Sequence, residues 1–342
     1  MNNFQRLIHL LFCSLVTWIN VNFRSERGSF SIDTAFIEGF RNNIMMLSQQ
    51  KEARLFGKSR NEQQIGEVDS YEQIDASDAV DILDRHGDTP IVNTPHARRQ
   101  VALEDADWGD LIDKMDRVRM LIRPDDAYVQ TAVWALNRKK DDIFIAAALG
   151  PARTGKKGLT TATLGFSNQL VCVDDAGGGA AGLNVFALTL LQQKFHDADI
   201  DEDMVKHLAI GSRQLQQLLN DPKATNADFT TVRALVNGKL NEFMGFVFTR
   251  TNRLPLTTVD VHYNAADGSV VVGPGPSTLG AGARRCIAWS EQGMLSAHAV
   301  DTIARISERD DKRYSTQIYV AHSVGAVRME EDQVVEFFVT EA

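Results

Sequence analysis

The feature that most constrains this chain is one helix too long for an ordinary core. The segment from Pro124 to Leu149 opens on a proline, which suits the first helical position because its missing N–H would be unpaired there in any case. Asp125 and Asp126 follow, where the positive end of the helix dipole favours carboxylates. Apolar residues recur at Val129, Ala132, Val133, Leu136, Ile143 and Ala147. At 1.5 Å per residue such a helix runs roughly 35–40 Å. That is a spine, longer than a compact domain of this size requires.

The second constraint is a stretch that cannot form a core alone. Residues 57 to 105 are polar, poor in long apolar runs and punctuated by His86-Gly87-Asp88-Thr89-Pro90 and Asn93-Thr94-Pro95. They read as an extended hairpin or loop that needs a partner surface. Ahead of them, Asp33 to Leu55 carries Phe36, Ile37, Phe40, Ile44 and Leu47 at helical spacing, which predicts an amphipathic arm with one apolar face.

Beyond the spine, residues 150 to 183 are rich in Gly, Thr and Ala and read as loop with short strands. Helices are expected at Asn184–Phe195, Ser212–Leu219 and Ala227–Met244, the last with Asn226 as N-cap and Gly245 as stop. β-branched and aromatic content predicts strands at Phe246–Thr249, Thr257–Tyr263, Ser269–Val272, Cys286–Trp289, Thr302–Glu308, Ser315–Val327 and Val334–Val339. The fold class is α+β, with no βαβ alternation and no internal repeat.

Composition narrows the function. With 342 residues, 44% hydrophobic and 24% charged, the chain has ordinary globular make-up and enough length for an elongated subunit or two domains. A net charge of −9 argues against a reader of nucleic acid, whose affinity comes from neutralising phosphates. Cys13, Cys172 and Cys286 are far apart in sequence, as packed free thiols would be, without metal-ligand or disulfide-framework spacing. Leu7 to Phe23 bears no formal charge but is short and interrupted by His9, Asn20 and Asn22. Residues 1–28 are therefore taken as a leader of unknown role, a signal-anchor being the alternative.

Several motifs imitate catalytic ones. Gly150-Pro-Ala-Arg-Thr-Gly155-Lys156-Lys157 matches G-x-x-x-x-G-K, yet a P-loop needs Ser or Thr at 157 and a following helix. A P-loop-like nucleotidase using Lys156 remains the enzyme alternative. Gly177-Gly178-Gly179-Ala180-Ala181-Gly182 matches G-x-G-x-x-G without the surrounding parallel units of a dinucleotide fold. The acidic run Asp197 to Asp203 reads as a solvated turn. The histidines form no metal-binding pair and no serine sits in a nucleophile elbow. No catalytic residue, cofactor site or metal site is assigned. His96-Ala-Arg98-Arg99 is basic, and Glu104, Asp105, Asp107 and Asp110 follow closely. Opposite charges at the two ends of one extended segment suit complementary pairing between copies, a solvated surface run being the alternative.

An ordered series of stretches resembles one family. Phe40 with Gln49-Gln50-Lys51-Glu-Ala-Arg54-Leu55, then Asp84-Arg85-His86-Gly87-Asp88-Thr89-Pro90 and Thr94-Pro95-His96-Ala-Arg98-Arg99, come first. Trp108-Gly-Asp110-Leu-Ile112-Asp113, Asp116-Arg-Val-Arg119-Met120-Leu121-Ile122 and Ser307-Glu308-Arg309 leading into Tyr314-Ser-Thr-Gln317-Ile-Tyr319 follow. Together they are similar to tailed-bacteriophage major capsid proteins with the Hong Kong 97-like shell fold, over about residues 30 to 340.

The resemblance implies an N-terminal arm at 29–56, an extended loop at 57–105 and a peripheral domain at 106–183 holding the spine helix 124–149. An axial domain at 184–285 and returning strands at 286–342 complete it. It implies a non-enzymatic, cofactor-free subunit that assembles with itself into pentamers and hexamers. The shell would enclose double-stranded DNA without sequence-specific binding and without a membrane. Portal, scaffolding or decoration proteins would be further partners, and assembly would take place in the host cytoplasm. A tail or decoration protein is the alternative within the virion. Arg98, Arg99, Asp107, Trp108 and Asp110 are the expected subunit contacts, and charge reversal at Arg98 and Arg99 is expected to reduce shell formation in a folded subunit.

Overall fold

A computed structural model describes residues 49–341 except 82–87, 90, 116–124, 175–178, 223–241, 272, 274 and 276. In chain order the strands and helices are β1 (Arg60–Gln63), β2 (Val68–Ile74), β3 (His96–Ala102), β4 (Glu104–Ile112), α1 (Asp125–Leu149), β5 (Ala152–Thr154), β6 (Thr160–Ala162) and β7 (Gln169–Val171). There follow α2 (Val185–Asp197), β8 (Lys206–Ile210), α3 (Ser212–Asn220), β9 (Glu242–Phe243), β10 (Phe246–Arg250), β11 (Val261–Tyr263) and β12 (Ser277–Leu279). The chain closes with β13 (Arg284–Ser290), β14 (Met294–Arg309), β15 (Ser315–Arg328) and β16 (Val334–Val339).

The long helix lies across a sheet ordered β1-β14-β15-β4. Alternation along β15 turns Ile318, Val320, His322 and Val324 to one face, where all are buried. Ala132 and Leu136 of α1 pack there with Ile112, Ile318 and Val320, and Ile143 packs with Phe56 and Val324. β14 and β15 form a hairpin closed by Arg313 and Tyr314, whose φ angles of 53° and 59° are left-handed. From Val300 onward its outer strand is largely exposed, with Ile303, Ile306 and Tyr314 uncovered.

A second sheet, β7-β16-β13-β8-β10-β9, carries the largest core. β8 and β16 are buried at every position, as strands covered on both faces are, although Lys206, His207 and Glu336 interrupt their apolar runs. α2 covers it with Leu188, Leu191 and Phe195, and the end of α1 adds Phe144, Ile145 and Ala148. Asn184, expected as the first residue of α2, is instead its N-cap, its Oδ1 accepting from the Ala187 N–H at 2.7 Å. A third sheet, β2-β3-β5-β6, carries the 57–105 segment, and β11 pairs with β12.

Differences from the sequence reading are local. Glu242 and Phe243, expected at the end of a helix, form β9, turned by Met244 (φ 51°) and Gly245 (φ 76°); the rest of that predicted helix lies outside the described residues. Of the predicted arm, residues 33–48 also lie outside them, and Gln49–Leu55 is not helical. The strand expected from Thr257 begins at Val261, because the Thr257 N–H donates to the Ala283 carbonyl at 2.8 Å and its Oγ1 to Val259 at 2.9 Å. Ser269 and Val270 form isolated bridges in place of a ladder.

Candidate assembly surfaces

Gln49–Leu55 runs along α1 because one buried carboxylate takes its hydrogen bonds. Asp141 has no exposed surface. Its oxygens accept from the backbone N–H of Arg54 at 3.0 Å and of Leu55 at 2.9 Å, and from the Gln50 side-chain amide. Arg138 donates to Gln49 Oε1 and Asn137 to the Lys51 carbonyl, both at 2.9 Å, while the Lys51 ammonium lies 5.2 Å from the Trp134 ring centre. These tertiary bonds replace the i→i−4 bonds that the apolar spacing alone would predict. They fix the point at which the N-terminal segment meets the body.

Within the 57–105 segment β1 joins the sheet of β14 and β15, and residues 68–102 form a hairpin with a fixed root and, among the described residues, an exposed far end. β2 and β3 pair in register from Val68–Ala102 to Ile74–His96. At the root Arg99 is 7% exposed and donates to the Met329 carbonyl at 2.9 Å and to Glu331. The Gln73 amide donates to the same carbonyl at 2.7 Å. Beside it Arg328, with no exposed surface, donates to the carbonyls of Ala148 (2.7 Å), Gly150 (3.0 Å) and Ala162 (3.0 Å). One guanidinium thereby closes the last turn of α1 and ties it to the hairpin sheet. Beyond the root, Ile74, Val80, Ile91 and Val92 are exposed, Ile91 at 96%. Apolar side chains on an extension, left uncovered by the described residues, mark an association surface.

The five expected contact residues divide. Arg98 pairs with Glu72 on the same hairpin and keeps about a third of its side chain exposed. Arg99 is engaged inside the chain, so its reversal acts on the fold before it can act on a neighbour. Asp107, Trp108 and Asp110 lie on β4, an outermost strand of its sheet. Asp107 is exposed on the face away from α1, Trp108 packs against the α1 core, and Asp110 is half-buried on the α1 side. The structure does not bring the arginines and carboxylates of this set together within one chain. Asp141, Arg328 and Glu331 were missed by sequence reasoning: the first sits in a Lys-Lys-Asp-Asp run that reads as a solvated helix face, and nothing local marks the others.

The catalytic look-alikes dissolve into backbone geometry. The G-x-x-x-x-G-K segment is the β5–β6 hairpin, turned at Gly155 (φ 86°) and Gly158 (φ 64°). The Gly155 N–H donates to the Arg98 carbonyl at 3.1 Å and the Gly158 N–H to Gly155 at 3.2 Å, so these amides are already bonded within the chain. Among the described residues no group of histidine, cysteine or acidic side chains could hold a metal ion, and no helix is long and apolar enough to cross a membrane. Cys172 and Cys286 are buried free thiols. Burial pushes the Cys172 thiol up to about 12 and raises that of Cys286 further. Cys13 lies outside the described residues, as does the 1–28 leader.

Two buried histidines support the helix from beneath. His322 is 3% exposed with neither ring nitrogen bonded, and burial, then Lys140 and Lys139, lower its pKa to about 4. His207 stacks on Trp289, which contacts Phe144 of α1; burial and Lys58 lower its pKa to about 4 as well. A free histidine titrates near 6.5, so the unfolded chain takes up these protons first. Stability is complete above pH 6.5 and falls as pH drops from 6.5 towards 4. At pH 5 each site is expected to cost on the order of 1–2 kcal/mol. Denaturant midpoints at pH 7 and pH 5 check this, and His322→Leu should remove about half of the difference.

A helix laid over one sheet, a second sheet beside it, a tied arm and a bare hairpin define a subunit built to be completed by other molecules. A family model for phage capsid proteins matches residues 32–341, and the chain belongs to that family: it is a major capsid protein, a component of the shell of a virion. Comparison with curated proteins gives no match. Among solved structures it is similar to the capsid of cyanophage P-SCSP1u, with 15% identity, a TM-score of 0.66, and coverage of 91% of this chain and 95% of that one. The cyanophage Pam1 capsid gives 16% identity, a TM-score of 0.63, and coverage of 92% and 99%. The Helicobacter pylori bacteriophage KHP30 capsid gives 12%, 0.62, and 92% and 98%. At these identities the likeness is one of fold.

Proposed function

We propose that this capsid subunit has Hong Kong 97-like anatomy and assembles with itself, as pentamers and hexamers, into an icosahedral shell that encloses double-stranded DNA. Residues 29–56 are the arm, 57–105 the extended loop, 106–183 the peripheral domain around α1, 184–285 the axial domain, and 286–342 the strands that return through both. Return through both sheets fits β13 and β16 in the six-stranded sheet and β14 and β15 in the four-stranded one. The chain performs no catalysis. Assembly in the host cytoplasm, with portal and scaffolding or decoration proteins as partners, completes the reading.

The observation that carries it is the hairpin: buried arginines fix its root, while its apolar side chains have no cover among the described residues. Laid on a neighbour, each such side chain contributes roughly 1.5–3 kcal/mol if fully buried, and contacts repeated over a closed lattice add. The double substitution Ile74→Asp with Ile91→Asp should leave the melting temperature of the free subunit unchanged and abolish shells in negative-stain images. Normal shells would remove the hairpin from the lattice. Arg98, Asp107 and Asp110 are proposed as charged contacts around it, with Arg99 and Trp108 holding the supporting structure from within.

A further inference from the structure

Most described arginines of this chain meet a carboxylate of their own chain: Arg98 with Glu72, Arg253 with Asp142, Arg284 with Glu341, Arg285 with Glu336, Arg309 with Asp311. In one place several cations without such a partner come together. Between the arm-exit segment 49–54 and the end of β10 lies an open cleft of about 720 Å³, bordered by Lys51, Arg54, Lys58 and Arg250. The Arg54 guanidinium donates to the Arg250 carbonyl at 2.8 Å, the Lys58 ammonium to Thr249 Oγ1 at 2.7 Å, and Lys51 rests over Trp134. Among the described residues none of these cations has a carboxylate partner, and the Arg250 guanidinium has no polar partner of any kind. Glu52 is the one acidic residue of the lining; Asp141 behind it is occupied by backbone N–H groups.

Four cations gathered in a recess of a protein with net charge −9 repel one another unless an anion enters. Burial already depresses the Lys58 pKa. The same chain carries the complement. The turn from α2 to β8 exposes Asp197, Asp199, Asp201, Glu202 and Asp203, and within the described chain none of the five is ion-paired. We propose that the basic cleft at Lys51, Arg54, Lys58 and Arg250 receives the acidic turn 197–203 of a second copy of this chain. A projecting turn with several carboxylates fits a recess, whereas the convex face of a nucleic-acid duplex does not reach into one. In a shell of identical copies the two features also occur in equal number. Complementary charge of this kind sets register and suppresses wrong pairings more than it adds raw affinity. The inference rests on the self-assembly reading and names one contact within it.

Charge exchange in the full-length chain tests it. Lys51→Glu with Arg250→Glu alters two cations that make no hydrogen bond through their side chains, so the melting temperature should fall by no more than roughly 2–4 °C, the share of the Lys51–Trp134 contact. Assembled particles, counted by sedimentation and negative stain, should fall at least about tenfold, because like charges would then face each other. Adding Asp201→Lys and Glu202→Lys to that variant should restore particles to near the wild-type yield. Undiminished assembly of the first variant overturns the proposal, and so does loss of assembly that the second pair fails to rescue. Shells of normal yield that no longer retain DNA would assign the cleft to nucleic acid and overturn it too. Wild-type chain that forms no particles would strike at the capsid reading itself and not at this contact.

Discussion

Asp141→Ala is expected to lower the stability of the subunit by about 3–5 kcal/mol, since removing the carboxylate strands two backbone N–H groups and one side-chain amide, at about 1–3 kcal/mol each for those that stay buried. The donors belong to Arg54, Leu55 and Gln50, all close to a helix that lies almost ninety residues further on. The segment 49–58 should detach and become open to limited proteolysis, and with it the entry point of the arm. Asp141→Asn keeps the volume and one acceptor oxygen and should lose about half as much. Thermal melting with mass spectrometry of the first cleavage sites reads both effects. An alanine variant that melts with the wild type and resists cleavage at 49–58 would show that packing against α1, and not Asp141, holds the segment.

Arg328→Met is expected to cost a comparable amount, about 3–5 kcal/mol, the usual penalty when a buried charge is removed from its partners. Methionine fills nearly the same space but leaves the carbonyls of Ala148, Gly150 and Ala162 without donors. It also leaves Glu331 with Arg99 as its one cation. The end of α1 and the root of the β2–β3 hairpin should loosen together. Amide exchange in 146–162 and in 96–102 should therefore accelerate in the same variant. Arg328→Lys, with a single reach, should recover a fraction of the stability. If exchange quickens at α1 alone, the hairpin root is held by Arg99 independently.

How far the sequence carried depends on where each element finds its partners. The spine helix was legible because carboxylates and apolar spacing both lie within its own 25 residues. β15 and the second half of β14 were legible for the same reason, whereas the first half of β14, from Met294, was not anticipated. Gln49–Leu55 was misread because its hydrogen bonds go to Asp141, and no local pattern announces a bond across that distance. The Gly155–Gly158 turn imitates a phosphate loop because both need glycines in left-handed conformations; Lys157 in place of Ser or Thr, and the β6 strand after it, tell them apart. Arg98 and Arg99 look alike in sequence, yet alternation along β3 sends one to the surface and buries the other. The basic cleft was invisible for a further reason: its cations come from residues some two hundred positions apart.

The central claim is that identical copies of this chain close into a shell, and direct imaging tests it most plainly. The full-length chain and residues 29–342 would be expressed in parallel and the soluble fraction examined by size-exclusion chromatography and negative-stain microscopy. Closed shells, or rings of five and six subunits, are the expected result in at least one of the two. A monomer or dimer that stays so even with a scaffolding protein supplied would contradict the account and bring the tail or decoration reading forward.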